Sequence, residues 1–191
     1  MTRTYTQGKR AEQKAETRRR IVEAAVDLHG SVGPAATTFS MLAERAGVQR
    51  HTLYAHFPDE QSLLTACSGL ALERDPLPDP EGWKALEGGE RLRVGLGAIY
   101  GWYERNEPLL ACVLRDAEHH APTREISERR FGPAMADYWD ILGDGLGDTQ
   151  RAMLGLAISF HSWRTLARGG LDGPAAAAAM ALAVGGAKAV S

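Results

Sequence analysis

Along residues 37–64 the apolar positions recur at helical spacing in three short bursts separated by turn signals. Phe39, Leu42, Ala43 and Ala46 share one face, with Thr38 placed to cap the helix that carries them. Gly47 follows at the position where a helix commonly ends in the left-handed conformation, and Val48 then turns inward. Leu53 and Phe57, four residues apart, anchor a second short helix. Pro58 disfavours helical geometry at Phe57, and Asp59 caps a third helix whose stripe is Leu63, Leu64, Cys67, Leu70 and Ala71. Two short helices about a glycine turn, then a third, are the pattern of a helix-turn-helix.

The segment R-R-R-I-V-E-A-A-V-D-L-H, residues 18–29, predicts a helix ahead of this unit. Beyond Arg74 the run D-P-L-P-D-P-E-G denies helix and marks a connection. Helical pattern returns over 88–105, with Leu92, Leu96, Ile99, Tyr100 and Tyr103 on one stripe, and Asn106 and Pro108 punctuate it. Further helices are expected over about 108–120, 123–144, 149–168 and 174–188, the last announced by Asp172, Gly173 and Pro174. No strand-like alternation appears. The reading is therefore all-α with about nine helices. A helix-turn-helix domain with a basic N-terminal arm occupies 1–57, a helix over 59–74 connects, and a helical regulatory and dimerisation domain occupies 58–191.

Charge changes this picture more than composition does. The formal net charge of −2 hides an asymmetry: residues 1–56 hold nine Lys/Arg against five Asp/Glu, and the remainder holds thirteen against nineteen. The basic end is the helix-turn-helix end. Lys9, Arg10, Lys14, Arg18, Arg19 and Arg20 are expected to displace counterions from phosphate there and to make affinity steeply salt-dependent. Two cysteines, Cys67 and Cys112, sit among apolar residues in no disulfide pattern, and no secretory signal appears, so a cytoplasmic protein is expected. The longest strongly apolar run, 175–187, falls short of the ~20 residues needed to cross a bilayer, so no membrane role is expected.

With Leu53 and Phe57 facing inward, Gln49, Arg50, His51 and Thr52 crowd the exposed start of the second helix, the end that enters the major groove in this motif. Arg can pair bidentately with guanine and Gln with adenine, while His and Thr donate or accept. Thr38, Tyr54 and His56 are assigned to phosphate positioning, with packing over the turn equally open for Tyr54 and His56.

The order A-E-R-A-G-V-x-x-x-T-L-Y-x-H-F-P-D, residues 43–59, resembles the DNA-binding domain of the tetracycline-repressor (TetR) family of bacterial transcription regulators. The resemblance runs back through residues 18–29 and covers roughly a third of the chain. It implies a transcriptional regulator, a repressor released from a palindromic operator by a small-molecule inducer. Three positions depart from the family pattern. Gln49 stands where Ser or Thr usually caps the recognition helix, His51 where a small residue is usual, and Glu60 where a Lys usually meets a phosphate. Glu60 suits a helix N-terminus but repels phosphate, so weaker or more salt-sensitive binding is expected unless the arm compensates.

The last two expected helices carry more apolar surface than one face normally buries, and their glycines and alanines allow close approach. A homodimer seam through 149–168 and 174–188 is expected, and the family resemblance implies a four-helix interface there. Trp102, Tyr103, Phe131, Met135, Tyr138, Trp139 and His161 are the candidate lining of a ligand chamber, for which core packing is the competing reading. The effector implied is largely apolar. Cys112, Asp116, His119 and His120 fall at metal-compatible spacings, so a metal-responsive regulator is an alternative, although histidines at a helix C-terminus need no metal. A ligand-independent DNA-binding structural protein is the other. No Gly-rich phosphate loop, G-x-S-x-G or H-E-x-x-H occurs, so neither an enzyme nor a cofactor is expected.

Overall fold

The computed structural model describes residues 2–188, with side chains from residue 8 onward. Nine α-helices and one 3-10 turn make up its regular structure, and among the described residues there is no strand. In order these are α1 (Thr2–Ser31), α2 (Phe39–Ala46), α3 (Arg50–His56), α4 (Glu60–Arg74), the 3-10 turn Glu81–Ala85, α5 (Gly88–Ala117), α6 (Ala121–Leu142), α7 (Asp148–Ala157), α8 (Phe160–Arg168) and α9 (Gly173–Gly186). The all-α expectation and the helix-turn-helix are both present.

The helices form two compact units. The first holds the chain up to Pro76 together with Pro108–Arg130. Its core is Ile21, Val22, Ala24 and Ala25 of α1, Leu42, Ala43 and Ala46 of α2, Leu53 and Phe57, Leu63, Leu64 and Cys67 of α4, and Ile126 of α6. α1 packs on both α2 and α4. Each fully buried Leu or Phe contributes about 1.5–3 kcal/mol relative to exposure, so the α3 anchors alone fix that short helix against the unit. His29 is buried in the same unit with its Nδ1 3.4 Å from Cys67 Sγ. Burial disfavours its charged form and pushes its pKa down to about 4, against a smaller opposing effect of Asp116.

The second unit holds Leu77–Glu107 and the chain from Phe131 on. α7 and α8 pack on α9 there. Tyr100, Tyr138, Leu92, Leu96, Ile99, Leu142, Leu154 and Val184 are its most completely buried large side chains.

Three elements differ from the sequence expectation. The first helix begins not at Arg18 but at Thr2, so the expected arm is helical. The separate helix expected to start at Pro108 is instead the continuation of α5, which carries that proline inside it. A proline forfeits one backbone bond and crowds the carbonyl a turn earlier. In the turns before it, Arg105 Nη1 donates to Gly101 O at 3.0 Å and Asn106 Nδ2 to Trp102 O at 2.9 Å, both ahead of the Glu104 carbonyl that the proline leaves without its backbone donor. Finally, the single helix expected over 149–168 is broken at Ile158 and Ser159 into α7 and α8. Carbonyls freed by such a break need donors. Tyr100 Oη donates to Ala157 O and Tyr103 Oη to Ile158 O, each at 2.7 Å. Burial raises both phenol pKa values above the ordinary range, so the hydroxyls remain donors.

Candidate nucleic-acid interface

The geometry of α3 begins with how the chain enters it. Thr38 adopts an extended backbone, and its Oγ1 accepts the Met41 N–H at 3.2 Å, satisfying one of the unpaired donors that start α2. α2 ends at Gly47, whose φ of 63° and ψ of 41° are the left-handed conformation that glycine adopts without a Cβ penalty. Val48 N then bonds back to Ala43 O at 2.9 Å. Arg20, from α1, donates to the carbonyls of both Ala46 and Gly47, so a cation closes the C-terminus of α2 and ties the turn to α1. Sequence reasoning assigned Arg20 to phosphate and missed this role, because its partner is 26 residues away.

α3 itself is seven residues long and only Leu53 within it is buried, with Phe57 buried just beyond its end. Gln49 takes the cap position with no side-chain cap bond, in keeping with its being a poor cap. Gln49, Arg50 and His51 are exposed and Thr52 is half-buried. His51 Nε2 lies 3.3 Å from Thr52 Oγ1. Tyr54 is 46% exposed while its ring packs 4.9 Å from that of Phe39, so packing and exposure coexist in one residue. His56 is half-buried, and burial together with the nearby charges of Lys14 and Arg18 lowers its pKa, which disfavours the charged imidazole.

A cleft of about 370 Å³ opens beside these residues, with Thr38, Arg50, Tyr54, Glu60 and His120 among its walls. Asp59 caps α4 by accepting the Ser62 N–H at 2.7 Å, which sets Glu60 in the first turn. The Glu60 carboxylate lies 3.4 Å from His120 Nε2, and His120 Nδ1 lies 2.7 Å from Thr123 Oγ1. The acidic departure at Glu60 thus faces an imidazole nitrogen of α6's N-terminal cap residue rather than open solvent alone.

The four residues weighed as metal ligands do not converge. Cys112 Sγ contacts Gly30 O, Asp116 binds Arg115 and the Ala35 N–H, and His120 turns to Glu60 and Thr123. Among the described residues no group of three His, Cys, Asp or Glu is arranged to hold a metal ion. No helix among them is long and apolar enough to cross a membrane.

In the second unit the candidate chamber residues divide. Trp102, Tyr103 and Phe131 meet, with the Trp102 ring centroid 6.0 Å from Tyr103 and 5.9 Å from Phe131. Phe160 and Trp163 extend the same cluster from Tyr103 at 5.5 and 5.8 Å. Tyr138 stands elsewhere: its ring lies 5.1 Å from Trp83 and its hydroxyl donates to Pro78 O at 2.6 Å. Trp139 borders Gly155 so closely that a Cβ there would lie 3.1 Å from the indole. Met135 is half-buried, and His161 is exposed against Phe160.

Comparison with known proteins agrees with this geometry. Residues 21–67 match the family described as bacterial regulatory proteins, tetR family. The HTH-type transcriptional repressor KstR of Mycolicibacterium smegmatis is 34% identical over 140 residues, which span 66% of this chain and 67% of that protein. A solved HlyIIR mutant protein is similar in structure with a TM-score of 0.68 at 14% identity, over 90% of this chain and 98% of the other. A tetR-family transcriptional regulator from Streptomyces coelicolor has a TM-score of 0.60 at 19% identity, over 89% and 79% of the two chains. At these identities the two structures share the fold.

Proposed function

The chain belongs to the tetR family of bacterial regulatory proteins, DNA-binding transcriptional regulators, and from that premise we propose that it is a homodimeric repressor released from a two-fold operator by a largely apolar small molecule. The observation that carries the reading is the division of labour on α3. Leu53 and Phe57 take the buried side, and Arg50 and His51, with Gln49 before them, take the solvent side. In this reading Gln49, Arg50, His51 and Thr52 read base edges, and Thr38, Tyr54 and His56 position the phosphates.

Dimerisation is supported by apolar surface left uncovered in one chain: Leu182 is 78% and Leu156 55% exposed, on α9 and α7. The alanines of α9 allow a second copy to approach closely. A two-fold dimer then places two α3 helices on two half-sites. The aromatic cluster of Trp102, Tyr103 and Phe131 is the binding side for the effector, apolar in its rings with few polar groups. Release follows by linkage: an effector that binds better to a state with wrongly spaced α3 helices lowers DNA affinity by the ratio of its two affinities. Residues 1–57 carry the reading and 58–191 the regulation and pairing, with α4 joining them. The protein acts in the cytoplasm, and its relatives are regulators, so the reading includes no catalytic step.

Selection of bound sequences from a randomised duplex pool, at one stated salt concentration, tests this. A palindromic site with two equal half-sites is expected. A folded dimer that enriches no sequence overturns operator reading.

A further inference from the structure

We propose that the N-terminal turns of α1 are a second DNA-docking element, in which Arg10, Lys14 and Arg18 lie along duplex phosphates beside the half-site taken by α3. The proposal rests on the operator-reading function above and adds a surface that the helix-turn-helix does not contain.

Its basis is the separation of charge around α1. Arg10, Lys14 and Arg18 follow one another at four-residue steps, so they line one face, about 6 Å apart along the axis. The acidic residues Glu12, Glu16 and Glu23 fall on the opposite face. Farther along, the face of the three cations becomes the core face, with Ile21 and Ala25 fully buried. The side of α1 that packs inward therefore turns basic as the helix runs past the core, and residues 8–16 are exposed throughout.

Arg18 fixes where this stripe points. Its guanidinium lies 4.9 Å from the centroid of the Phe57 ring, at the end of α3, and Lys14 is one turn nearer the N-terminus. The stripe thus continues from the end of α3 that carries His56. The other two arginines of the triplet serve the fold instead. Arg19 pairs with Glu16 and Glu23, both at 2.7 Å, and Arg20 holds the carbonyls of Ala46 and Gly47. Among the described residues no carboxylate lies within ion-pair distance of Arg10, Lys14 or Arg18.

Duplex DNA is the occupant this surface fits. A protein partner needs a desolvated apolar centre, and residues 8–18 hold no large apolar side chain. A row of cations on a helix, with no apolar anchor and continuous with α3, matches a polyphosphate backbone.

The test is the salt dependence of binding of the full chain to a mixed-sequence duplex of about 40 base pairs, roughly four helical turns. The variants are Arg10→Gln with Lys14→Gln, and separately Arg19→Gln, each checked for unchanged helicity. The double variant removes two cations from each protomer, so a dimer neutralises about four fewer phosphates and the slope of log K against log salt becomes shallower by about 3.6. Arg19→Gln leaves the slope at the wild-type value. A double variant with the wild-type slope overturns the docking element while leaving operator reading intact, and so does an Arg19→Gln loss equal to half that of the double variant. A wild-type protein that does not bind the duplex at any salt overturns both readings.

Discussion

The buried carboxylate of Asp116, near the end of α5, accepts the backbone N–H of Ala35 at 2.9 Å, in the loop that leads from α1 into α2. Its other oxygen takes Arg115 Nε at 2.8 Å, and Arg115 Nη2 reaches Val32 O at 2.9 Å. Gly33, at φ +98°, lies so close that a Cβ would run into both side chains. The loop ahead of the Thr38 cap is therefore clasped from α5.

Asp116→Ala leaves the Ala35 N–H and the Arg115 guanidinium without their acceptor and is expected to destabilise the protein by about 1–3 kcal/mol, read from urea denaturation. The carboxylate also gives stability a pH dependence. Burial alone would raise its pKa, but the bonds from Arg115 and Ala35 outweigh that and hold it below the ordinary carboxylate value. A carboxyl whose folded pKa is depressed stabilises above its unfolded pKa and loses that contribution as pH falls through the folded one, here below about pH 4. Asp116→Asn should lose stability less steeply in that acid range than the wild type does.

His29 titrates in a different window. Its folded pKa of about 4 lies below that of an unfolded histidine, so the unfolded chain binds the proton first. Stability then falls as pH drops from roughly 6.5 to 4, by on the order of 3 kcal/mol across the window. His29→Gln should flatten this part of the stability profile, as chemical denaturation at a series of pH values would read. An unchanged slope between pH 7 and 4 would show that His29 is already charged or accessible in the native state.

Substitutions on α3 should separate reading from positioning. Arg50→Ala is expected to remove about 1–3 kcal/mol of discrimination at one base pair in each half-site, seen as relaxed preference in competition with altered operators. Tyr54→Phe removes one hydroxyl and leaves the ring on Phe39, so it should weaken all duplexes by a similar factor. Sequence-dependent loss in Tyr54→Phe would move that residue into the reading set.

Leu182, the most exposed large apolar side chain of α9, tests the pairing surface. Leu182→Glu should convert a dimer to a monomer in light scattering and lower operator affinity with it, while the helicity of the chain at low temperature stays at the wild-type value because the leucine is 78% exposed within one protomer. A dimer that survives the substitution places the seam elsewhere.

The helix-turn-helix was legible in the sequence because its signals are local. A cap at Thr38, a left-handed glycine at Gly47 and apolar residues at Leu53 and Phe57 act within a turn or two of themselves. The elements misread are those governed from a distance. The break between α7 and α8 depends on hydroxyls from Tyr100 and Tyr103, more than fifty residues earlier, and no local signal at Ile158 announces it. Residues 8–16 of α1 are all exposed, so no buried apolar face there distinguishes helix from arm. Asp116 looked like a metal ligand by spacing, yet its partners are a neighbouring arginine and a backbone amide 81 residues away. The aromatic candidates were only partly grouped, because Trp102 meets Phe131 and Tyr103 meets Trp163 through packing that spacing along one helix does not encode.

Only Leu53 of the seven residues of α3 is buried, and Phe57 beyond it completes the attachment. The exposed positions Arg50 and His51 can be rewritten without disturbing a core contact. In a lineage that duplicates this chain, the address it reads can drift by single substitutions at Arg50 or His51 while foldedness is retained at every step. Scaffold and address are thereby inherited as separate characters.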